Sequence, residues 1–369
     1  MMREPFSDED RGHMVRALAL AERGLCTTTP NPRVGCVIVK DGDVIGEGWH
    51  ERAGEAHAEV AALADARARG RDTRGATLYA TLEPCSRHGR TPPCVDAVLE
   101  AQIGRVVAAM RDPNPAQNGG AERLREAGVQ VDVGLLEAES STLNVGFVSR
   151  MMRGRPWVRS KLAASLDGRT ALASGESRWI TGAAARADGH AWRARACAIM
   201  TGVGTVLHDD PQLTVRDVPT SRQPLRIIVD RHADTPANAR VLADGNAVVV
   251  TAGPRNSGWP ASIESLALPD TDGRVDLAAL FRALAGRGIN EAHVEAGAKL
   301  NGALLRAGLI DELLIYFAGA LIGDPARGMF ESAIPLASLR DRVNVVWTSV
   351  DRIGDDLRIV ARVQMGERA

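Results

Sequence analysis

The stretch that decides the fold is ATLEPCSRHGRTPPC at positions 80–94, together with the upstream tripeptide His57-Ala58-Glu59. Cys85 and Cys94 can offer thiolates, and His57 can offer a neutral ring nitrogen at the start of a predicted helix. Three such ligands suit zinc, and a fourth position left open is typical of a catalytic zinc site. The pattern therefore predicts a zinc centre in the first half of the chain.

Glu59 follows His57 by two residues and is not needed as a ligand. A carboxylate there can accept a proton from metal-activated water, pass it to a ring nitrogen and then protonate a departing amine. H-x-E followed by P-C-x-x-C is the signature of zinc-dependent base deaminases. Here eight residues separate Cys85 from Cys94, and the longer loop is expected to line the pocket. Each residue alone would be an ordinary core residue, but the combination predicts a deaminase.

Helix-like and strand-like stretches alternate around this motif, which predicts a mostly parallel sheet covered by helices. Predicted strands at 34–39 and 44–49 flank Asp41-Gly42, a dipeptide typical of a hairpin turn. The other predicted strands are 76–81, 105–110 and 129–133, and the predicted helices are 8–23, 57–69, 94–101, 121–127 and 137–150.

The basic strip MMRGRP at 151–156 predicts a domain boundary, with one domain at 1–150 and another at 151–369. A chain of 369 residues is long enough for two cores. In the second half, strands are predicted at 158–164, 198–202, 225–230, 246–251, 293–295, 313–317 and 357–363, helices at 181–196 and 276–286, and a loop turning into a helix at 297–307. No G-x-G-x-x-G follows the first strand, so a Rossmann site is not predicted. Glycine-containing turns at 201–205 and 297–302 could still let backbone amides approach a phosphate.

Composition excludes several classes of protein. The 45 Lys and Arg residues nearly balance the 46 Asp and Glu residues, which leaves no basic footprint for nucleic acid. We find no apolar run long enough to span a bilayer, and the charged N-terminal sequence lacks the apolar core of a secretion signal. Five cysteines are too sparse for a disulfide framework. We therefore expect a cytoplasmic enzyme with a small-molecule substrate and neither a nucleic-acid nor a membrane partner.

Several long segments resemble the bifunctional riboflavin-biosynthesis deaminase/reductase family. In the first half they are TPNPRVGCVIVKDG (29–42), GEGWHERAGEAHAEV (46–60), ATLEPCSRHGRTPPC (80–94) and RDPNP (111–115). In the second half they are KLAASLDGRTALASGESRWIT (161–181), HDDPQLTVR (208–216) and VEAGAKLNGALL (294–305). The resemblance covers nearly the whole chain. Arg87 stands where the family often has His, which is a departure within the cysteine loop.

The resemblance implies an α/β protein with an N-terminal cytidine-deaminase-like three-layer domain and a C-terminal dihydrofolate-reductase-like domain. It further implies zinc and NADPH as cofactors and self-association into a homo-oligomer. The family deaminates a diaminopyrimidinone that carries a phosphoribosylamino group, and then reduces the ribosyl group to ribityl with NADPH.

The resemblance also implies site residues. His57, Cys85 and Cys94 would bind zinc, and Glu59 would move protons. NADPH contacts would come from Ala163, Trp179, Thr205, Asp209, Arg231 and the loop Gly297, Ala298, Lys299, Leu300, Asn301, Gly302 and Ala303. Substrate contacts would come from Asn31, Lys161, Ser177, Arg193, Leu213, Arg216 and Glu295, with His50 and His88 as further candidates. Arg193 and Arg216 suit the ribose phosphate, because a guanidinium binds phosphate through two parallel hydrogen bonds.

Three alternatives remain open from the sequence. A tRNA adenosine deaminase or another nucleic-acid base deaminase would share the zinc motif, although the balanced charge and the long second half disfavour it. A non-catalytic zinc module would need a fourth ligand rather than a neighbouring carboxylate. One of the two domains could also be inactive, although the motifs of both halves are complete.

Overall fold

The computed structural model describes residues 6–89, 92–331 and 336–364. The chain divides into two compact units, Met1–Gly154 and Arg155–Ala369. Within the described ranges, we find no helix with the length and apolar character that crossing a membrane would require.

The first unit contains one five-stranded sheet in the order β2-β1-β3-β4-β5. Its strands are β1 (Gly35–Lys40), β2 (Asp43–Trp49), β3 (Thr77–Ala80), β4 (Arg105–Ala108) and β5 (Gln130–Val133). Its helices are α1 (Asp8–Glu22), α2 (Ala58–Ala68), α3 (Cys94–Glu100), α4 (Gly120–Glu126), α5 (Glu137–Leu143) and α6 (Val145–Arg153).

The predicted hairpin is confirmed at β1 and β2, where Lys40 pairs with Asp43 across a two-residue turn. Asp41 and Gly42 both have positive φ, 52° and 83°, which is the backbone of a type I′ turn. β1 is antiparallel to both β2 and β3, whereas β3, β4 and β5 run parallel. The sheet is therefore mixed rather than mostly parallel. The β1–β2 pair has to be antiparallel, because a two-residue loop can join only antiparallel strands.

Helices cover both faces of this sheet. Side chains alternate along a strand, so Cys36 and Ile38 pack in one buried cluster with Ala62 of α2. Val37 and Met14 lie in a second cluster, which contains residues of α1 and β1. The predicted three-layer arrangement is present in the structure.

The predicted helix at 137–150 is interrupted at Asn144, which separates α5 from α6. The buried Asn144 side chain accepts a hydrogen bond from the Arg33 N–H at 2.8 Å and donates one to the Arg33 carbonyl at 2.9 Å. α6 then continues to Arg153 and ends at Gly154, whose φ is 65°. The first part of the predicted linker is therefore helical.

The second unit contains a nine-stranded sheet in the order β11-β10-β9-β8-β12-β6-β13-β16-β15, and β7 and β14 form a separate pair. Its strands are β6 (Trp157–Ser165), β7 (Arg169–Ala171), β8 (Ala198–Gly202), β9 (Leu225–Val229), β10 (Ala247–Thr251), β11 (Glu264–Ala267), β12 (Glu291–Val294), β13 (Glu312–Ala318), β14 (Arg327–Gly328), β15 (Asn344–Ile353) and β16 (Asp356–Gln364). Its α-helices are α7 (Ala183–Arg195), α8 (Val203–Asp209), α9 (Leu277–Gly286) and α10 (Ala298–Arg306).

The large sheet is parallel from β11 to β13 and antiparallel at β16 and β15. β8 and β12 are neighbouring strands that point the same way, so their carboxyl ends meet at one edge of the sheet. α8 directly follows β8, and α10 follows β12 after three residues, Glu295, Ala296 and Gly297. The loop turning into a helix predicted at 297–307 is confirmed by α10, whereas at 201–205 the sequence predicted only a turn and the structure begins a helix at Val203.

Candidate functional sites

The predicted zinc ligands are brought together by three different elements. His57 is the N-cap residue of α2, Cys85 lies in the loop after β3, and Cys94 is the first residue of α3. The His57 Nδ1 atom is 3.2 Å from Cys94 Sγ and 3.5 Å from Cys85 Sγ. All three ligand atoms lie within 4.8 Å of one another.

This donor set fits zinc. Two ligands bonded to one tetrahedral zinc ion at about 2.0–2.3 Å stand at separations similar to those observed here. The hydrogen bond with Cys94 holds the pKa of Cys85 at about 4, against the opposing effect of burial. Cys85 is therefore a thiolate at neutral pH, which is the form that binds metal.

Glu59 lies in the first turn of α2 and is only 3% exposed. Burial raises the pKa of its carboxyl to about 7, with the Cys85 thiolate acting in the same direction. A carboxyl with a pKa near neutrality can both accept and donate a proton under working conditions. The position and the environment of Glu59 are therefore those of a proton-transfer group.

Asn31 lies beside a second buried histidine. Its Nδ2 atom is 3.0 Å from Nε2 of His50, and Nδ1 of His50 is 2.9 Å from the Ala56 carbonyl. The carbonyl can only accept, so Nδ1 carries the proton and Nε2 accepts from the Asn31 amide. This leaves the carbonyl oxygen of Asn31 as the group that can face a ligand. His88 is exposed in the cysteine loop, and residues 90–91 of that loop lie outside the described residues.

The residue-by-residue interpretation of the sequence missed two buried acids near the zinc ligands, although both lie within the quoted motifs TLEPC and RDPNP. Glu83 accepts hydrogen bonds from the N–H groups of Asp112 at 3.1 Å and Ala121 at 2.8 Å. Burial raises the pKa of Asp112 to about 6. Glu83 thus connects the segment that carries Cys85 to the loop after β4 and to the first turn of α4.

The second unit has a cleft of about 420 Å³. It gathers ten of the predicted reductase residues, which are Lys161, Ala163, Ser177, Trp179, Arg193, Thr205, Asp209, Leu213, Arg216 and Glu295. These residues are distant in sequence, and their convergence on one cavity favours a shared ligand site.

Arg193 and Glu295 pair with each other inside this cleft. The guanidinium donates from Nε and Nη2 to the two carboxylate oxygens, at 2.5 and 2.8 Å. Burial alone would raise the pKa of Glu295, but Arg193 outweighs it and holds that pKa well below its usual value. Burial also lowers the pKa of Lys161, which Glu295 partly restores. Arg193 and Glu295 therefore form a buried charged pair at the wall of the cleft.

The remaining predicted cofactor contacts do not line this cleft. The Arg231 guanidinium donates to the Gly273 carbonyl at 2.8 Å. Asn301 is fully buried, accepts from the Ser160 hydroxyl at 3.0 Å and donates to the Ala296 carbonyl. Within 297–303, the Asn301 side chain therefore has a structural role in the buried core of the second unit.

The start of α10 nevertheless suits a phosphate-bearing cofactor. Gly204, in the first turn of α8, and Gly297, the N-cap of α10, have open space where a side chain would begin. Both helices start at the edge where the carboxyl ends of β8 and β12 meet. Backbone amides at such helix starts can approach phosphate groups, so the residues present fit a dinucleotide.

Comparison with known proteins matches both units. Residues 7–110 match the model for the cytidine and deoxycytidylate deaminase zinc-binding region, and residues 156–359 match the RibD C-terminal domain. The riboflavin biosynthesis protein RibD of Escherichia coli is 48% identical over 95% of this chain and 98% of its own length. Its Haemophilus influenzae counterpart is 45% identical over 96% of this chain and 97% of its own.

Solved structures agree over the same length. RibD of Acinetobacter baumannii superposes with a TM-score of 0.89 at 42% identity, covering 97% of this chain and 99% of that one. A Thermotoga maritima diaminohydroxyphosphoribosylaminopyrimidine deaminase/5-amino-6-(5-phosphoribosylamino)uracil reductase has a TM-score of 0.88 at 34% identity, covering 96% and 99% of the two chains. These matches span both units, which disfavours a nucleic-acid deaminase or a zinc module alone. The chain belongs to the RibD family of riboflavin biosynthesis proteins.

Proposed function

We propose that the chain deaminates diaminohydroxyphosphoribosylaminopyrimidine in residues 1–150 and reduces 5-amino-6-(5-phosphoribosylamino)uracil in residues 151–369. Members of the RibD family are bifunctional enzymes of riboflavin biosynthesis, a zinc-dependent deaminase and an NADPH-dependent reductase, and this chain is one of them. The observation that carries the assignment is the His57, Cys85 and Cys94 cluster beside buried Glu59, in a chain that also contains the reductase cleft.

In the deaminase site, His57, Cys85 and Cys94 would hold zinc, which supplies an activated water when bound. Glu59 accepts one proton of the attacking water and delivers it to the ring nitrogen. It then accepts the second proton of that water and delivers it to the amine, which leaves as ammonia while the water oxygen becomes the oxo group. Its burial favours this cycle, because the neutral and ionised forms are of similar energy near pH 7. Asn31 offers its carbonyl oxygen to an N–H group of the pyrimidine, in the orientation that His50 imposes.

In the reductase site, the nicotinamide supplies hydride when NADPH is bound, and the protein orients the sugar against it. The cofactor contacts are proposed at Ala163, Trp179, Thr205, Asp209, Arg231 and 297–303. The substrate contacts are proposed at Lys161, Ser177, Arg193, Leu213, Arg216 and Glu295. Since Arg193 is paired with Glu295, Arg216 is the guanidinium more available to the phosphate.

The experiment that tests the whole assignment follows product masses in two stages. The purified, zinc-loaded protein is first incubated with the diaminopyrimidine phosphoribosylamine alone, and NADPH is added afterwards. We expect a mass change of amine-to-oxo exchange before the cofactor is added, and a gain of two hydrogens only after it. Protein that holds zinc yet leaves the compound unchanged would overturn the substrate assignment.

We also propose that the chain self-associates and works in the cytoplasm. β15 is an edge strand of the large sheet, and its Val346, Trp347 and Val350 side chains are exposed, which is typical of a surface that another chain covers. Zinc binding by Cys85 and Cys94 requires that both stay reduced, which is typical of a reducing compartment such as the cytoplasm. Light scattering at several concentrations tests the first proposal, and cell fractionation tests the second.

A further inference from the structure

One segment of the reductase cleft is held by side chains instead of by a strand partner. We call residues 213–216 the Arg216 strap. Leu213, at its start, is 4% exposed and has a φ of 52°, a backbone conformation that is uncommon for leucine. The strap then passes along the cleft and ends at Arg216, the proposed phosphate contact.

His190, on α7, holds the end of the strap. Its ring is 6% exposed, and its Nδ1 atom accepts a hydrogen bond from the Arg216 backbone N–H at 3.1 Å. An accepting Nδ1 places the proton on Nε2, which lies 3.4 Å from an Asp217 carboxylate oxygen. Burial, with Arg193 acting in the same direction, lowers the pKa of His190, so the neutral form that can accept is the one present at pH 7.

Gln223 and Arg193 hold the middle of the strap. The Gln223 amide accepts from the Val215 N–H at 2.8 Å and donates to the Val215 carbonyl at 3.0 Å, as a neighbouring strand would. Arg193 donates to the Thr214 carbonyl at 3.0 Å. Four backbone polar groups in three consecutive residues are therefore bonded by side chains from elsewhere in the unit.

This fixed backbone determines where the Arg216 guanidinium can be. Its Nη1 atom donates to the Thr214 hydroxyl at 2.9 Å and to the Gln212 amide oxygen at 3.3 Å. A guanidinium recognises phosphate through a rigid pair of donors, so a small displacement of its backbone costs affinity. A pre-formed backbone also removes the entropy of ordering the segment on binding.

We propose that His190 and Gln223 are positioning residues that fix the Arg216 strap and thereby give the reductase its preference for a phosphorylated substrate. The inference rests on the proposed role of Arg216 and extends it to two residues that are not themselves proposed as substrate contacts.

The test compares the Michaelis constants of 5-amino-6-(5-phosphoribosylamino)uracil and of its dephosphorylated counterpart in the full-length enzyme. His190→Leu removes the acceptor for the Arg216 N–H, and Gln223→Leu removes both bonds to Val215. We expect His190→Leu to raise KM for the phosphorylated substrate about three- to tenfold, the worth of one such hydrogen bond, and Gln223→Leu, which loses two, to raise it at least as much. The KM for NADPH and the deamination rate should change less than about twofold. The KM for the dephosphorylated compound should rise less than that for the phosphorylated substrate, since it lacks the phosphate that Arg216 contacts.

Conservative variants separate positioning from folding. Gln223→Glu keeps the acceptor for the Val215 N–H and loses the donor to the Val215 carbonyl, so its KM should lie between those of wild type and Gln223→Leu. His190→Gln retains a side-chain acceptor and should recover part of the loss. If His190→Leu does not fold, the variants of Gln223, which is exposed, still test whether side chains position the strap.

Double variants test the positioning role of the strap separately from the proposed phosphate contact of Arg216. In an Arg216→Ala background, His190→Leu and Gln223→Leu should have little further effect, because the group they position is absent. Additive losses, or equal losses for the phosphorylated and dephosphorylated compounds, would overturn the inference. If Arg216→Ala itself leaves KM for the phosphorylated substrate unchanged, the proposed phosphate contact fails, and the inference fails with it for that separate reason.

Discussion

At the scale of single residues, Glu59 offers the sharpest test of the deaminase chemistry. Glu59→Gln keeps the size of the side chain but removes its capacity to move a proton. We expect the rate of deamination to fall by at least about a hundredfold, the usual contribution of a general acid–base group. Reduction of substrate that is already deaminated should not change, and the zinc content should stay at the wild-type level, because Glu59 is not among the clustered ligands.

The matched control is Glu55→Gln, which changes an exposed carboxylate two residues before His57. It should deaminate at the wild-type rate. A Glu59→Gln enzyme that retains zinc and deaminates normally would show that another group, such as buried Asp112, moves the proton.

Sequence patterns predicted that His57, Cys85 and Cys94 come together, because metal chemistry dictates residue types that lie within short motifs. They could not predict pairings that depend on tertiary distance. Arg193 and Glu295 are about a hundred residues apart, and only the fold shows that they neutralise each other. The structural role of Asn301, on α10, could not be predicted either, since it depends on a hydrogen bond from Ser160 of β6.

At the scale of elements, the buried acid Asp10 joins α1 to β3 and β4. It accepts hydrogen bonds from the Tyr79 hydroxyl and from Arg105, each at 2.7 Å. Burial would raise the pKa of Asp10, but the hydrogen bonds of Arg105, the Ser7 N–H and Tyr79 outweigh it and lower that pKa to about 2. The ionised carboxylate therefore favours the folded state by about 2 kcal/mol at neutral pH.

Because the folded pKa lies below the unfolded value of about 4, this contribution is complete above pH 4 and disappears as the pH falls through about 2. Asp10→Asn should lower the protection of β3 amides in hydrogen exchange at pH 7. The difference between variant and wild type should shrink between pH 4 and pH 2. Equal protection at pH 7 would mean that the buried ion pair contributes no net stability.

The start of α4 packs against the loop that carries Cys85, a proposed zinc ligand. A Cβ atom on Gly120 would stand 1.8 Å from the Pro84 carbonyl oxygen, immediately before Cys85. Gly120→Ala must therefore displace the cysteine loop or the helix. We expect faster release of zinc to a chromogenic chelator and slower deamination, with normal reduction of deaminated substrate.

Gly12→Ala is the control for this glycine. A Cβ there meets nothing within 4 Å, and the position lies inside α1. Alanine should raise the free energy of unfolding by about 0.5–1 kcal/mol through helix propensity, without changing zinc release. Unaltered zinc release in Gly120→Ala would show that the loop adapts without moving Cys85.

At the scale of the whole molecule, the sequence predicted two α/β units but not the details of their sheets. Asp41-Gly42 predicted the hairpin because turn geometry is local. The predicted mostly parallel sheet was wrong for the first unit, since the partner of β1 on its other side, β3, is set by long-range packing. β15 was missed because an edge strand with neither face buried lacks the alternation of apolar and polar residues that marks a strand.

Each compact unit contains the residues of one candidate active site. The zinc cluster and Glu59 lie in Met1–Gly154, and every residue that lines the reductase cleft lies in Arg155–Ala369. The cleft residues are fixed by protein contacts such as the Arg193–Glu295 pair, and none of these contacts uses a residue of the zinc cluster. Metal removal should therefore separate the two activities.

Prolonged dialysis against a strong chelator should abolish deamination, and added zinc should restore it, because His57, Cys85 and Cys94 would have no ion to share. Reduction of deaminated substrate by NADPH, assayed on the same sample, should continue at the rate of untreated protein. Circular dichroism of the treated sample reports whether the first unit remains folded without metal. A reductase rate that falls in step with the bound zinc would show that the second unit depends on the metal of the first, and would overturn the assignment of one independent site to each unit.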